Sequence, residues 1–201
     1  MTLMDEEIAK LLRKAKTREK LQVEEQNYEE EKEQLDEAEI GIQMEQGECT
    51  VFDRQFIFTE KIILNHRIKV YIPDKNLYIK ANVADAFIAG ENSYNVGMNF
   101  ILAEDDTPIL SWEEYQKKMK SGMDKINIRF KWIEEGCLLN QEVKLRYLEF
   151  LTMTGLGTFH NHMYMADTKY GRLTINLNYD DKNSKYWTPL IHVMMNKMEV
   201  I

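Results

Sequence analysis

Residues 158–179 read TFHNHMYMADTKYGRLTINLNY, and this stretch decides the fold. In its second half Leu173, Ile175, Leu177 and Tyr179 alternate with Arg172, Thr174, Asn176 and Asn178, the period of two expected of a strand with one buried face. In its first half Phe159, Met163 and Met165 fall on one side and His160, His162 and Tyr164 on the other. Asp167-Thr168-Lys169 reads as the turn that joins the halves into a hairpin. That turn would set His162 opposite Thr174, His160 opposite Asn176 and Tyr164 opposite Arg172, which makes a polar, partly solvated sheet face.

Working outward, Val143, Leu145, Tyr147, Leu151 and Met153 give a third strand interrupted by Glu149, and Gly155 and Gly157 break the chain before the hairpin. A three-stranded antiparallel meander is therefore expected at the centre of an α+β fold. Upstream, Phe52, Phe56 and Phe58 alternate in a first strand. Ile62, Leu64, His66, Ile68, Val70 and Ile72 share one face of a second run, in which Asn65-His66 is alternatively a turn and His66 otherwise a core histidine. Leu77 to Ala81 reads as extended, and Tyr94 to Ala103 as a strand. Ser111 and Glu114 form a capping box for a helix whose apolar stripe is Trp112, Tyr115 and Met119. Ile126, Ile128, Phe130 and Trp132 form a strand that Glu134-Glu135-Gly136 would end as a turn. Thr188 as N-cap and Pro189 as first residue open a C-terminal helix with Leu190, Ile191, Met194, Met195 and Met198 toward the sheet and His192 on its surface.

The charge is unevenly placed. Of the net −8, residues 1–48 hold 15 acidic and 7 basic side chains, whereas residues 49–201 are balanced. Residues 1–46 contain no Pro and only Gly41, and are rich in good helix formers. The expected organisation is a charged helical arm over 1–48 and an α+β domain over 49–201, an antiparallel sheet with flanking helices preceded by a long N-terminal charged helix. Because the apolar alternation lies beyond Thr50, residues 50–201 are expected to fold alone. Leu21, Tyr28, Leu35 and Ile42 recur every seven residues and form a candidate partner-binding stripe, although the companion positions are mostly charged. The same spacing allows a homo-oligomer joined through the helix.

These features exclude some functions and favour others. Without clustered Lys and Arg there is no footprint for nucleic acid. No window approaches a membrane span, and the first twenty residues lack the apolar core of a signal peptide. The two cysteines, Cys49 and Cys137, lack CxxC spacing, so the expected compartment is the reducing cytoplasm. No nucleotide, hydrolase or metalloprotease motif occurs. His160-Asn161-His162 places two imidazoles on one strand face about 7 Å apart, half of a metal site, but none of the residues that the turn would set opposite is a good third ligand. The candidate binding surface comprises Leu21, Tyr28, Leu35, Ile42, His160, His162, Tyr164, Arg172 and Asn176. The twelve methionines serve as core or as an adaptable apolar surface.

From Gln55 to Ile201 the order of elements resembles the PsbP-like and DcrB-like superfamily, which includes Mog-type import factors and Eag-type secretion effector chaperones. Ile68-Lys69-Val70-Tyr71-Ile72-Pro73 is similar to the strand near the start of those domains, and Leu110-Ser111-Trp112-Glu113-Glu114-Tyr115 to the opening of their first helix. Arg172 to Tyr179, followed by Trp187-Thr188-Pro189-Leu190, is similar to their final strand and helix. The resemblance implies no cofactor and a non-catalytic adaptor or chaperone that binds another protein, such as a secreted effector. The alternative is a small metal-dependent or ligand-binding enzyme using the His160/His162 face.

The acidic stretch 21–48 carries eleven acids and one base, so it should attract a basic partner and speed its association at low salt. Replacing Glu29, Glu30, Glu31 and Glu33 by Gln keeps helix propensity nearly constant. The expected outcome in stopped-flow measurements with a binding partner is a slower on-rate at low salt and no difference at high salt.

Overall fold

The structure, a computed structural model, describes residues 36–93, 95–104, 110–126, 128–140 and 143–201. In chain order the elements are α1 (Glu37–Glu45), β1 (Glu48–Val51), β2 (Arg54–Ile63), β3 (Ile68–Pro73), β4 (Leu77–Asn82), β5 (Ala86–Glu91), β6 (Val96–Ala103), α2 (Trp112–Lys125), β7 (Arg129–Asn140), β8 (Val143–Thr154), β9 (Gly157–Thr168), β10 (Gly171–Asp180), a 3-10 turn (Asp181–Asn183), α3 (Ser184–Lys197) and β11 (Glu199–Val200). The strands make two antiparallel sheets, one of four strands in the order β1-β2-β3-β11 and one of seven in the order β4-β5-β6-β10-β9-β8-β7. The expected meander β8-β9-β10 lies within the larger sheet, and the fold is α+β and dominated by strands. Up to residue 35, the stretch expected to form a long N-terminal helix lies outside the described residues, as do Leu21, Tyr28 and Leu35.

The register of the β9–β10 hairpin differs from expectation and inverts its faces. The chain turns at Lys169-Tyr170. There the Thr168 hydroxyl donates to the Gly171 carbonyl at 2.8 Å and accepts the Tyr170 N–H at 3.1 Å, and Gly171 takes φ +117, which favours glycine. Arg172 therefore pairs with Asp167, Ile175 with Tyr164, Leu177 with His162 and Tyr179 with His160. The pairing is displaced by an odd number of positions from the one the 167–169 turn implied, and an odd displacement moves a strand's side chains to the opposite face. His160, His162 and Tyr164 consequently join the buried face of Leu173, Ile175, Leu177 and Tyr179 and are buried, not solvated. On the other face Met163 and Met165 pack with Leu148, Phe150 and Trp112 beneath α2. Residues 160–166 are buried on both faces.

One boundary takes its alternative reading, the Asn65-His66 turn, and two others differ. Leu64, Asn65 and His66 form the turn between β2 and β3 with φ of 53, 54 and 61, so Ile62 points outward and His66 is an exposed turn residue rather than a core histidine. Glu134, Glu135 and Gly136 stay within β7, whose ladder to β8 absorbs an irregularity between Trp132 and Glu134 instead of turning. α3 begins at Ser184, a turn earlier than expected. Asp180 accepts the Lys182 N–H and starts the 3-10 turn that leads into α3, which leaves Pro189 inside the helix and frees Thr188 from capping. At α2 the expected capping box forms: the Ser111 N–H donates to Glu114 at 3.1 Å and the Glu114 N–H to the Ser111 hydroxyl at 3.3 Å. Met194, Met195 and Met198 are core residues.

The compact unit runs from Glu37 to Ile201. α1 belongs to it because Ile40 and Gly41 lie about one helical turn from Met44 and all three are buried. A Cβ at Gly41 would lie 2.7 Å from Lys197 Cε, so this position permits α1 and α3 to approach closely. Lys197 is also ion-paired with Glu45. Gly47, at φ +95, ends the helix, with its N–H bonded to the Met44 carbonyl at 3.1 Å. A chain beginning at Thr50 lacks Ile40 and Met44, so a loss of cooperative urea unfolding is expected on that truncation, opposite to the reading from sequence. In the full chain Met44→Ala is expected to cost about 2–5 kcal/mol, read from the urea midpoint.

Candidate functional site

Glu149 sits mid-strand in β8, where an otherwise apolar run would place a hydrophobe. Its side chain points to the face shared with His160 and His162, because Glu149 pairs with His162 and Leu151 with His160 across the ladder. His192 reaches the same carboxylate from α3. The contacts are short: Glu149 Oε2 is 3.2 Å from His160 Nε2, and Glu149 Oε1 lies 3.3 Å from His162 Nδ1 and 2.8 Å from His192 Nε2. The two β9 imidazoles stack 4.8 Å apart with planes 9° from parallel, and the Tyr179 ring stacks against both. Outside this group, His162 Nε2 and the Tyr179 hydroxyl are 2.8 Å apart, and the same hydroxyl is 2.8 Å from Thr188 Oγ1. His160 Nδ1 is 3.4 Å from Asp181 Oδ1. The Thr188 that sequence assigned to capping thus ties α3 to the sheet through Tyr179.

The cluster is enclosed: His162 is 0% exposed, Glu149 3% and His160 6%. Burial opposes the charge on Glu149, but the three histidines outweigh it and hold its carboxyl well below the usual carboxylate range. Burial pushes the His162 ring down to about 4, against the pull of Glu149. Burial also raises the neighbouring Tyr164 hydroxyl well above its ordinary value and Tyr147 to about 12, the latter helped by its hydrogen bond to Glu134. Chemically, Glu149, His160 and His162 bring a carboxylate oxygen and two ring nitrogens within 4.8 Å of one another, donor types that suit a first-row transition ion. With so little exposure these groups do not present a reacting atom to a bulky substrate.

The residues proposed from sequence do not form one surface. His160, His162 and Tyr164 come together, but in the interior. Arg172 pairs with Asp167 at 3.0 Å near the hairpin end, Asn176 lies half-buried on the opposite face of the sheet, and Ile42 is an exposed residue of α1. Sequence reasoning passed over Glu149, read as an interruption, and His192, read as a surface residue. The charged residue inside an apolar strand was the signal for the first. A second feature lies between α2 and β7, where Gln116, Lys117, Lys120, Phe130 and Trp132 line a groove of about 440 Å³. No helix among the described residues is long and apolar enough to cross a membrane.

In metal-free buffer containing a chelator, the cluster sets an acid limit on stability. Below about 6.5 the unfolded chain takes up a proton at His162 that the folded chain refuses until about 4. Stability is therefore full above this window and falls as pH drops through it, by about 3 kcal/mol at most. Glu149, held low, adds a further loss below about 4.5. Urea unfolding from pH 8 to 4 should show this decline, and His162→Asn should flatten its upper part. Wild-type stability that stays constant to pH 4 would contradict the assignment.

No protein-family model and no curated protein sequence matches the chain. Among solved structures, the cyanobacterial PsbP (CyanoP) of Synechocystis sp. PCC 6803 is similar, with TM-score 0.56 at 10% identity, covering 72% of this chain and 92% of that one. The Pseudomonas aeruginosa protein PA94, of unknown function, aligns with TM-score 0.43 at 10% identity over 70% of this chain and 94% of its own. At the level of the backbone, and of fold alone, the chain is PsbP-like.

Proposed function

We propose that this chain is a non-catalytic protein-binding module of the cytoplasm, and that its α2–β7 groove receives an acidic segment of another protein carrying an apolar anchor. One observation supports this reading: the groove is floored by half-buried Phe130 and Trp132, and both charged side chains that line it, Lys117 and Lys120, are cationic. Aromatic floors supply contact area at low entropic cost, and a rim of one sign selects partners of the other. The floor is supported from below, since Phe130, Trp132, Tyr115 and Met119 pack on the cluster of Trp112, Leu148, Phe150, Met163 and Met165. The groove is therefore a firm surface, which lowers the ordering cost of binding. Lys117 is engaged with Glu113 at 3.0 Å on the exposed helix face, an arrangement that costs little to rearrange. A secreted effector is the partner class that the family resemblance implies, and the chain would then act as an adaptor or chaperone for it.

Selection from a displayed random-peptide library on the immobilised protein tests the reading. The expected winners are acidic sequences with an aromatic or aliphatic anchor, whose affinity falls at least about tenfold on Lys117→Glu/Lys120→Glu and on Trp132→Ala, and weakens with salt. Winners without acidic character, or with unchanged affinity for the double lysine variant, would overturn it.

A further inference from the structure

We propose that Glu149, His160, His162 and His192 together bind one divalent first-row transition ion, with Zn2+ as the probe, in a closed structural site that fastens α3 to strands β8 and β9. This goes beyond the groove and is independent of it. The first support is spacing. Donor atoms about 2.0–2.2 Å from a tetrahedral ion sit roughly 3.3 Å apart. Here Glu149 Oε2 lies 3.2 Å from His160 Nε2, Glu149 Oε1 lies 3.3 Å from His162 Nδ1 and 2.8 Å from His192 Nε2, and one donor atom each of Glu149, His160 and His162 falls within 4.8 Å of the others, a cluster that an ion would draw slightly closer. The second support is the outer layer. A ligating histidine is held by a partner on its other ring nitrogen. His162 has Tyr179, itself bonded to Thr188, and the Asp181 carboxylate stands 3.4 Å from His160 Nδ1 without a hydrogen bond to it.

The third support is an unsatisfied atom. His162 Nδ1 is buried and makes no hydrogen bond, although it lies 3.3 Å from Glu149 Oε1. If Nε2–H donates to Tyr179, Nδ1 carries a lone pair facing a carboxylate, which is repulsive without a cation between them. An ion at that point turns the repulsion into coordination. Three imidazoles and one carboxylate, with no thiolate, match a zinc-class ion rather than the oxygen shells of Ca2+ or Mg2+. Four protein donors leave no open position, the arrangement of a structural rather than a catalytic site. The His192 side chain is 20% exposed, which gives the ion a route in from the α3 side.

The test uses the full chain, stripped with EDTA and titrated with Zn2+. The expected result is one Zn2+ per chain by elemental analysis and calorimetry, with a rise in the thermal midpoint on loading. Tyr179→Phe should weaken affinity about 10–100-fold through loss of the outer partner, and His192→Ala by more, with circular dichroism confirming that each variant is folded. His66→Ala, in the exposed β2–β3 turn, should bind as wild type. X-ray absorption on Zn-loaded wild type should report about three nitrogen and one oxygen neighbours, a result that needs no variant to fold. Substoichiometric zinc with an unchanged thermal midpoint, full affinity in His192→Ala, or a shell dominated by water oxygens would each overturn the proposal.

Discussion

A carboxylate enclosed between a sheet and a helix must be compensated where it stands, and Glu149 imposes that requirement on this fold. Removed from water, an isolated charge costs far more than a small domain's entire stability, so its neighbours must supply donors. Here they come from one strand and a helix. His160 and His162 are fixed by the β8–β9 ladder and His192 arrives from α3, so the carboxylate is satisfied only when the helix is seated. The Tyr179–Thr188 contact joins the same helix to β10. Surrounding apolar contacts add most of the area: Trp187, Leu190, Ile191, Met194 and Met195 of α3 are buried, and Phe56 and Trp187 meet edge to face at 5.4 Å. The apolar residues favour association without direction, and the Glu–His group selects one seating of α3.

This arrangement separates the molecule's polar interior from its exposed working surface. The imidazoles that resemble catalytic or ligand-binding groups in sequence are sealed in, whereas the aromatic residues of β7 stand half-open beside α2. The larger sheet is buried unevenly. One face carries α3 and its polar cluster, and the other is covered by α2 only over the β8–β9 side, leaving Ile101 exposed. Both outer strands of that sheet carry irregularities, β4 between Ile79 and Ala81 and β7 between Trp132 and Glu134. Such features discourage edge-to-edge pairing with another sheet. Association through side-chain surfaces such as the α2–β7 groove fits this geometry better than strand addition.

Much of the fold was legible in the sequence because the relevant signals are local. Alternation along 173–179 marks a strand whichever neighbour it finds, Ser111 and Glu114 close a capping box within one turn, and Gly155 and Gly157 break the chain where they stand. The uneven charge of residues 1–48 is likewise a property of the sequence alone. Tertiary structure decided the rest. Which face of β9 turns inward depended on whether the hairpin closed at 167–169 or at Lys169-Tyr170, a difference set by Thr168 and Gly171 that moves every side chain of the strand to the other side. That choice turned His160 and His162 from a solvated face into the core. The meeting of Glu149 with His192, 43 residues away, followed from the docking of α3 on the sheet and from no spacing in the chain. α1 joined the compact unit for the same reason: Ile40 and Met44 become core residues only once the folded chain covers them, with α3 beside Gly41, and a periodicity records which residues share a face but not what will lie against it.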